Sequence, residues 1–156
     1  MTEQARYAVV GNPIEHSLSP RIHAAFAGQT GEALVYERLL APLEGFGDTV
    51  ARFFADGGAG LNVTVPFKQQ AWEMAGRHEP RAARAGAVNT LWQEADGVLV
   101  GDNTDGAGLV RDLGVNNAVP LAGARVLVLG AGGAVRGILE PLLKEVPAEV
   151  MVANRT

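Results

Sequence analysis

Short apolar runs alternate along the chain with longer segments whose apolar residues recur every three or four positions. A short apolar run is typical of a buried strand, and the wider spacing is typical of a helix with one buried face. The runs predict strands at RYAVV, LVYERLL, LNVTV, RVLVL and EVMVAN. Because strands and helices alternate, we predict an α/β fold with a mostly parallel sheet that helices cover on both faces.

Several segments have the spacing of a helix with one apolar face, and a short helix is also expected at DGAGLVRDLG. Gly28 or Gly31 should end the first helix, and Pro66 suits the first position of the third. We expect the apolar faces to lie against the sheet. Helix by helix, the apolar positions are Ile22, Ala25 and Phe26; Phe46, Val50, Phe53 and Phe54; Phe67, Ala71, Met74 and Ala75; and Val135, Ile138, Leu139 and Leu142.

A hairpin separates two parts of this pattern. AVNTLWQEADGVLVG predicts two strands joined by a tight turn at Asp96-Gly97, a pair that favours hairpin turns. The chain up to residue 104, which includes this hairpin, can form a complete small α/β domain, whereas the chain from residue 105 begins a β-α-β unit that it does not finish. We therefore expect a first domain over residues 1–104 and the start of a second over residues 105–156.

Composition narrows the classes of partner. The 156 residues are 47% hydrophobic and 19% charged, which is typical of a globular chain, and no apolar stretch reaches the ~20 residues of a membrane span. The net charge of −4 and the lack of a basic run argue against nucleic acid. The chain has no cysteine, so it can form neither disulfides nor thiolate metal sites, which fits a reducing cytoplasm. We predict no bound metal.

A glycine-rich turn follows the predicted strand RVLVL, in VLVLGAGGAVRG. Backbone N–H groups at a helix start, freed of side chains, can bind the pyrophosphate of a dinucleotide. Gly130 and Gly132 fit the pattern G-x-G-x-x-G, but Val135 takes the third position, with Gly133 and Gly137 on either side. The alternative is an ordinary turn between a strand and a helix.

The next strand ends in ANRT and carries information about the nucleotide. Proteins that bind NAD usually place an acidic residue here, where it bonds the ribose 2′-hydroxyl. Asn154, Arg155 and Thr156 offer an amide, a guanidinium and a hydroxyl instead. A cation at this place suits the 2′-phosphate of NADP. The alternative is a solvated strand end.

Lys68 is expected in the first turn of the third helix, where the positive end of the helix dipole disfavours an ammonium. Such a lysine can serve as an acid or base near neutral pH. The motif GDNTDG supplies Asp102 and Asp105 as candidate partners. A surface lysine and a helix-capping aspartate are the alternatives, and spacing alone does not bring the two together. In the same way, SLSP can be a helix cap or a ligand-holding pair of hydroxyls.

Six motifs together resemble the shikimate dehydrogenase family in order and approximate spacing: GNPIEHSLSP, NVTVPFK, GAVNTL, GDNTDG, GAGGAVRG and NRT. The resemblance covers essentially the whole chain. It implies an N-terminal α/β substrate-binding domain followed by the start of a Rossmann-type NADP-binding domain, inside which the chain ends. It also implies the reduction of 3-dehydroshikimate to shikimate with NADPH, a step towards the aromatic amino acids.

The resemblance also implies roles for particular residues. Ser17 and Ser19 would hold the substrate carboxylate, and Thr64 and Asn89 would bond the ring hydroxyls. Lys68 would be the catalytic acid or base, with Asp105 as its partner beside the reacting C3 oxygen. The implied cofactor-binding residues are Gly130, Ala131, Gly132, Gly133 and Ala134 at the pyrophosphate and Asn154, Arg155 and Thr156 at the 2′-phosphate.

Two other functions stay open from the sequence. One is a quinate/shikimate dehydrogenase, although the basic NRT end argues against NAD. The other is a truncated binding module that holds a hydroxylated carboxylate or a nucleotide without turnover. In each case we expect a small-molecule partner, a cytoplasmic location and a monomer or homodimer.

Overall fold

The computed structural model describes residues 4–155, and its strands and helices largely follow the predicted order. The strands are β1 (Ala5–Gly11), β2 (Leu34–Leu40), β3 (Gly58–Val63), β4 (Arg77–His78), β5 (Thr90–Gln93), β6 (Leu99–Asp102), β7 (Arg125–Leu129) and β8 (Glu149–Ala153). The helices are α1 (Ser19–Thr30), α2 (Phe46–Ala55), α3 (Lys68–Met74), α4 (Pro80–Ala85), α5 (Asp105–Arg111) and α6 (Gly133–Lys144). A π-helical turn, Asp112–Asn116, continues α5.

The strands form two sheets. The larger one has six strands in the order β2-β1-β3-β5-β6-β4, and in it β5 alone runs antiparallel to its neighbours. The smaller one is the parallel pair β7-β8. The hairpin of β5 and β6 turns at Asp96 and Gly97, as predicted, and Gly97 has a φ of +83°. The mostly parallel α/β architecture is confirmed.

The main core lies on one face of the larger sheet. Alternate residues of β1 and β3, such as Val10 and Leu61, pack against Phe53 of α2 and against Phe67 before α3. The predicted apolar face of α2 is therefore correct. The face of α1 is different, because Ile22 is 45% exposed and Phe26 is 53% exposed.

Two boundaries differ from the predictions. Pro66 lies in the turn before α3, after a cis peptide bond with Val65, so its predicted place at the first helical position is wrong. Strand β3 begins at Gly58, three residues before the predicted segment LNVTV, because pairing with β1 starts there. It ends before Thr64, whose carbonyl accepts a turn hydrogen bond from Phe67.

Other boundaries match, and two short elements were not foreseen. Gly31 ends α1 with a φ of +75°, and its N–H donates to the carbonyl of Ala27. Strand β4 and helix α4 are too short to produce a repeating apolar pattern. No helix in residues 4–155 is both long and apolar enough to cross a membrane. The domain boundary between residues 104 and 105 stays a prediction. Along the chain, the strands of the larger sheet precede α5 and those of the smaller sheet follow it.

Candidate active site

The candidate site residues of the first part of the chain lie at one edge of the larger sheet. Strands β1, β3 and β6 run in one direction, so their carboxyl ends meet there, and the antiparallel β5 begins at the same edge. Ligands in open α/β sheets bind beside such an edge. The residues that follow β1, β3 and β6, or directly precede β5, are Ser17, Ser19, Thr64, Lys68, Asn89 and Asp105.

Lys68 and Asp105 form an ion pair at this edge. Each is the first residue of its helix, α3 and α5, and the Lys68 Nζ lies 2.5 Å from the Asp105 Oδ2. Their side chains are 18% and 27% exposed, so the pair is partly shielded but reaches solvent. The Lys68 carbonyl also accepts a 2.8 Å hydrogen bond from the Val88 N–H. The structure thus joins two residues that sequence spacing could not connect.

Asn89 fixes the other oxygen of Asp105. The Asn89 Nδ2 donates to the Asp105 Oδ1 at 2.7 Å and to the Thr104 Oγ1 at 2.9 Å. The Asn89 Oδ1 accepts from the Thr104 N–H at 3.0 Å. Because the Asn89 side chain is buried and bonded on both sides, it aligns the carboxylate with Lys68. Thr104 was not among the residues singled out from the sequence.

The loop that carries Asp105 is supported by a second carboxylate, that of Asp102. Its two oxygens accept from the Arg81 Nε at 2.6 Å and from the Arg81 Nη2 at 2.5 Å, and its Oδ1 also accepts from the Asn103 N–H. The guanidinium of Arg81 holds the pKa of the Asp102 carboxyl below its usual range. The Asp102 carboxylate therefore anchors this loop to Arg81, whereas Lys68 pairs with Asp105.

The two serines of SLSP lie together at the start of α1. The Ser17 Oγ donates to the Ser19 Oγ at 3.2 Å and accepts from the Ser19 N–H at 3.3 Å. Leu18 occupies the N-cap position, so neither serine side chain caps the helix there. Arg38 donates two hydrogen bonds to the Ser17 carbonyl, which fixes this turn against β2. The pair remains able to hold a ligand.

Tyr36 and Asn62 connect the serines with Asn89. The Tyr36 Oη hydrogen-bonds with Ser19 and donates to the Asn62 Oδ1 at 2.6 Å. The Asn62 Nδ2 in turn donates to the Asn89 carbonyl at 3.4 Å. Burial raises the pKa of Tyr36 to about 12, against a smaller lowering by the bond to Ser19, so its hydroxyl keeps its proton at neutral pH.

Sequence reasoning missed Tyr36 and Asn62. A signal for Asn62 exists, since it lies two residues before Thr64 and alternate strand positions share one face. No comparable signal singles out Tyr36 within LVYERLL. Thr64 itself lies beside Gly11 at the end of β1, where a Cβ at Gly11 would overlap its methyl group.

The glycine turn faces Lys68 across a cavity of about 320 Å³. Gly130 directly follows β7 and has a φ of +110°, a value that favours glycine, and α6 begins at Gly133. A Cβ at Gly132 would meet no atom of residues 4–155 within 4 Å, so the start of α6 is open. Lys68, Gly132, Gly133, Ala134 and Arg136 all line the cavity. An anion at this helix start would lie near the Lys68 side chain.

The candidate 2′-phosphate residues follow β8, which is the strand paired with β7. The Gly130 N–H donates to the Ala153 carbonyl at 2.7 Å, which brings the end of β8 next to the glycine turn. Asn154 and Arg155 come directly afterwards and are exposed. Their place suits a nucleotide whose pyrophosphate lies at α6. Thr156 lies outside the described residues. In residues 4–155, no three His, Cys, Asp or Glu side chains form a metal-binding group.

One protein family has a sequence model that matches the chain. This family, the shikimate dehydrogenase substrate binding domain, matches residues 9–91. The chain is 68% identical over 151 residues to the shikimate dehydrogenase (NADP(+)) of Alkalilimnicola ehrlichii, and the match covers 97% of this chain and 56% of that protein. It is 65% identical over 150 residues to the protein of the same name from Marinobacter nauticus, covering 96% and 54%. The chain spans about half the length of these relatives.

Solved structures agree with this match. An Ael1 enzyme from Pseudomonas putida superposes with a TM-score of 0.91 at 47% identity, over 98% of this chain and 56% of that one. Shikimate 5-dehydrogenase from Thermus thermophilus, solved in complex with NADP(H) and shikimate, superposes with a TM-score of 0.89 at 39% identity, over 98% and 57%. These likenesses confirm the predicted fold class.

Proposed function

The chain belongs to the shikimate dehydrogenase family, and from that premise we propose that it carries the substrate site and the start of the NADP site of an enzyme that reduces 3-dehydroshikimate to shikimate. One observation carries the proposal. Lys68, whose Nζ lies 2.5 Å from the Asp105 Oδ2, lines the same cavity of about 320 Å³ as the open glycine turn. Proton transfer and nucleotide binding would thus take place in the same cavity.

Reduction of a ketone adds a hydride to carbon and a proton to oxygen. We assign the proton to the Lys68 ammonium, which donates it to the C3 oxygen as the carbon–oxygen double bond becomes an alcohol. Asp105 keeps the ammonium in place, and Asn89 keeps Asp105 in place. The resulting amine regains a proton from solvent, which its partial exposure allows. In shikimate oxidation Lys68 removes the same proton.

The substrate carboxylate is assigned to the hydroxyls of Ser17 and Ser19. Their mutual hydrogen bond keeps them together, and the bond between Ser19 and Tyr36 orients the second hydroxyl. We assign the ring hydroxyls to Thr64 and Asn89, which lie at the same sheet edge. These polar groups would bind a hydroxylated carboxylate, and we expect them to disfavour apolar ketones.

NADP fits the residues that follow β7 and β8. We assign its pyrophosphate to the backbone from Gly130 to Ala134 and its 2′-phosphate to Asn154, Arg155 and Thr156. The open start of α6 and the guanidinium of Arg136 in the same cavity support an anion there. When bound, the reduced cofactor supplies the hydride. The lack of an acidic residue after β8 favours NADP over NAD.

Two further parts of the proposal concern the cellular location and the oligomeric state of the protein. We propose a cytoplasmic location, which the absence of cysteine supports, and a monomer or homodimer as the working form. Its partners would be small molecules. The ion pair of Lys68 and Asp105 supports a reductase more strongly than a binding module without turnover, because it can supply and take up a proton.

The test uses what we call the completed chain. It consists of residues 1–156 followed by the part of the Alkalilimnicola ehrlichii relative beyond the matched region. NADPH consumption is followed with 3-dehydroshikimate, and the reverse reaction with shikimate or quinate and with NADP or NAD. We expect turnover with shikimate and NADP in clear excess over quinate and NAD. A folded, inactive completed chain would contradict the proposal, and equal rates with quinate and NAD would favour the quinate/shikimate alternative.

A further inference from the structure

The buried side chain of Asn103 connects the loop of Asp105 with the helix that follows the glycine turn. Asn103 is 2% exposed. Its Nδ2 donates to the Ala87 carbonyl at 3.0 Å, and its Oδ1 accepts from the Asp105 N–H at 3.1 Å. Both ends of the amide are thus bonded, so its orientation is fixed.

Gly137 of α6 lies directly against this amide. A Cβ at Gly137 would lie 2.8 Å from both the Nδ2 and the Oδ1 of Asn103, closer than real Cβ atoms approach such neighbours. Gly106 of α5 makes a second close contact, because a Cβ there would overlap the Gly137 carbonyl and the ring of Pro141. Backbone and a fixed amide therefore determine how α6 sits on α5, with little room for adjustment.

These contacts join the two halves of the proposed site. Gly137 lies about one helical turn beyond Gly133, where α6 begins, so a shift of Gly137 moves the glycine turn with it. We propose that Asn103 is a positioning residue that fixes the distance between the glycine turn and the Lys68–Asp105 pair. This inference rests on the proposed function, because the distance matters only if cofactor and substrate react across the cavity.

The contact itself is tested in the 156-residue chain without any activity. G137A, N103A and the double variant are compared by thermal unfolding, with G108A as the control. Gly108 shares α5 with Gly106, but a Cβ there would meet no described atom within 4 Å. We expect G137A to lower Tm in the presence of Asn103 and to cost little on the N103A background, since the clash is then gone. Equal costs on both backgrounds would overturn the inference.

The positioning role is tested in the completed chain. Rates are measured with NADPH and with NADPH deuterated at the transferred position, so that the isotope effect on kcat reports how far hydride transfer limits turnover. For G137A we expect kcat to fall about ten- to a hundredfold, because misplacement by about 1 Å has effects of that size. The isotope effect should rise, whereas KM for the substrate should change much less than kcat. N103A should show the same signature, and G108A should not.

The outcomes separate this inference from the proposed function. A folded but inactive completed chain would overturn both. An active chain in which folded G137A leaves kcat and the isotope effect unchanged would overturn this inference alone. If G137A does not fold, N103A decides: an unchanged isotope effect in N103A, even with a lower Tm, would mean that Asn103 only stabilises the fold.

Discussion

The edge of the larger sheet and the glycine turn of the smaller one are built to different degrees within this chain. At the edge, Lys68, Asn89 and Asp105 are partly or fully buried and bonded to one another. In the smaller sheet, Leu127 is 59% exposed, Leu129 is 76% exposed and Met151 is 51% exposed. A two-stranded sheet with uncovered apolar residues is marginal by itself. The polar groups at the edge of the larger sheet are thus already fixed within this chain, whereas the smaller sheet, which carries the glycine turn, is not covered.

This difference predicts that substitutions at the edge of the larger sheet lower the reaction rate. Substitutions near β8 should instead change the preference between NADP and NAD. The largest effect should come from K68A in the completed chain. We expect kcat to fall about 10²- to 10⁴-fold, the usual contribution of a general acid, with a much smaller change in KM. K144A is the matched control, because Lys144 is 66% exposed at the end of α6. Steady-state kinetics with near-normal kcat for K68A would remove Lys68 from the reaction.

The second-largest effect is expected on the affinity for NADP alone. R155A in the completed chain should weaken NADP binding about ten- to a hundredfold, the value of a charge-assisted contact worth roughly 1.5–3 kcal/mol. NAD binding and shikimate binding should stay nearly unchanged, and the loss should shrink as salt rises. R125A serves as control, since Arg125 pairs with Glu149 on the same small sheet. Calorimetric titration that finds equal losses for NADP and NAD would contradict the assignment.

The third effect is on stability and depends on pH. R81M leaves the buried Asp102 carboxylate without its partner and should lower the free energy of unfolding by about 1–3 kcal/mol at neutral pH. Arg81 keeps the pKa of folded Asp102 below its unfolded value, so this stabilisation is present above about pH 4 and is lost as the pH falls further. Urea unfolding at several pH values measures it.

A more exposed ion pair provides the control for R81M. Arg84 pairs with Glu140, and the arginine side chain is 52% exposed. R84M should therefore cost at most about 1 kcal/mol. Equal losses in R81M and R84M, or a loss in R81M that persists at acid pH, would mean that burial of Asp102 is not the cause.

The smallest effect concerns Tyr36. Y36F removes the hydroxyl that links Ser19 with Asn62, and one hydrogen bond is worth about 0.5–1.5 kcal/mol, or roughly two- to tenfold in KM for shikimate. Y7F is the control, because Tyr7 pairs with Tyr36 in the register of β1 and β2, and both tyrosines line a second cavity of about 340 Å³. If Y36F and Y7F have the same KM in steady-state assays, the link from the serines to Asn89 does not orient the substrate.

The fold was more predictable from sequence than the contacts of the site. Helix α2 could be predicted because Phe46, Val50 and Phe53 recur at helical intervals in the sequence. All three are buried in the structure. Strand β4 covers only two residues, and such a segment carries no period. Pro66 suited a helix start by local preference, but the turn after Thr64 places it before the helix.

The meeting of Lys68 and Asp105 could not be predicted from spacing. They are 37 residues apart, and their contact depends on the hairpin of β5 and β6. The chain leaves this edge of the larger sheet after Asn89, and the hairpin brings it back there before Asp105. Residues whose motifs resemble a known family could be named beforehand. Tyr36 and Thr104 needed the folded chain, because their hydrogen bonds to Asn62 and Asn89 are tertiary contacts.

The most direct test of the contrast is a calorimetric titration of shikimate and of NADP into the same 156-residue chain. The chain should bind shikimate through the polar edge and should show little affinity for NADP, because the smaller sheet leaves its apolar residues uncovered. S17A should weaken the shikimate binding by roughly 1.5–3 kcal/mol through the loss of a charge-assisted hydrogen bond, without a matching loss of Tm. Binding of NADP without binding of shikimate by the folded chain would contradict the account.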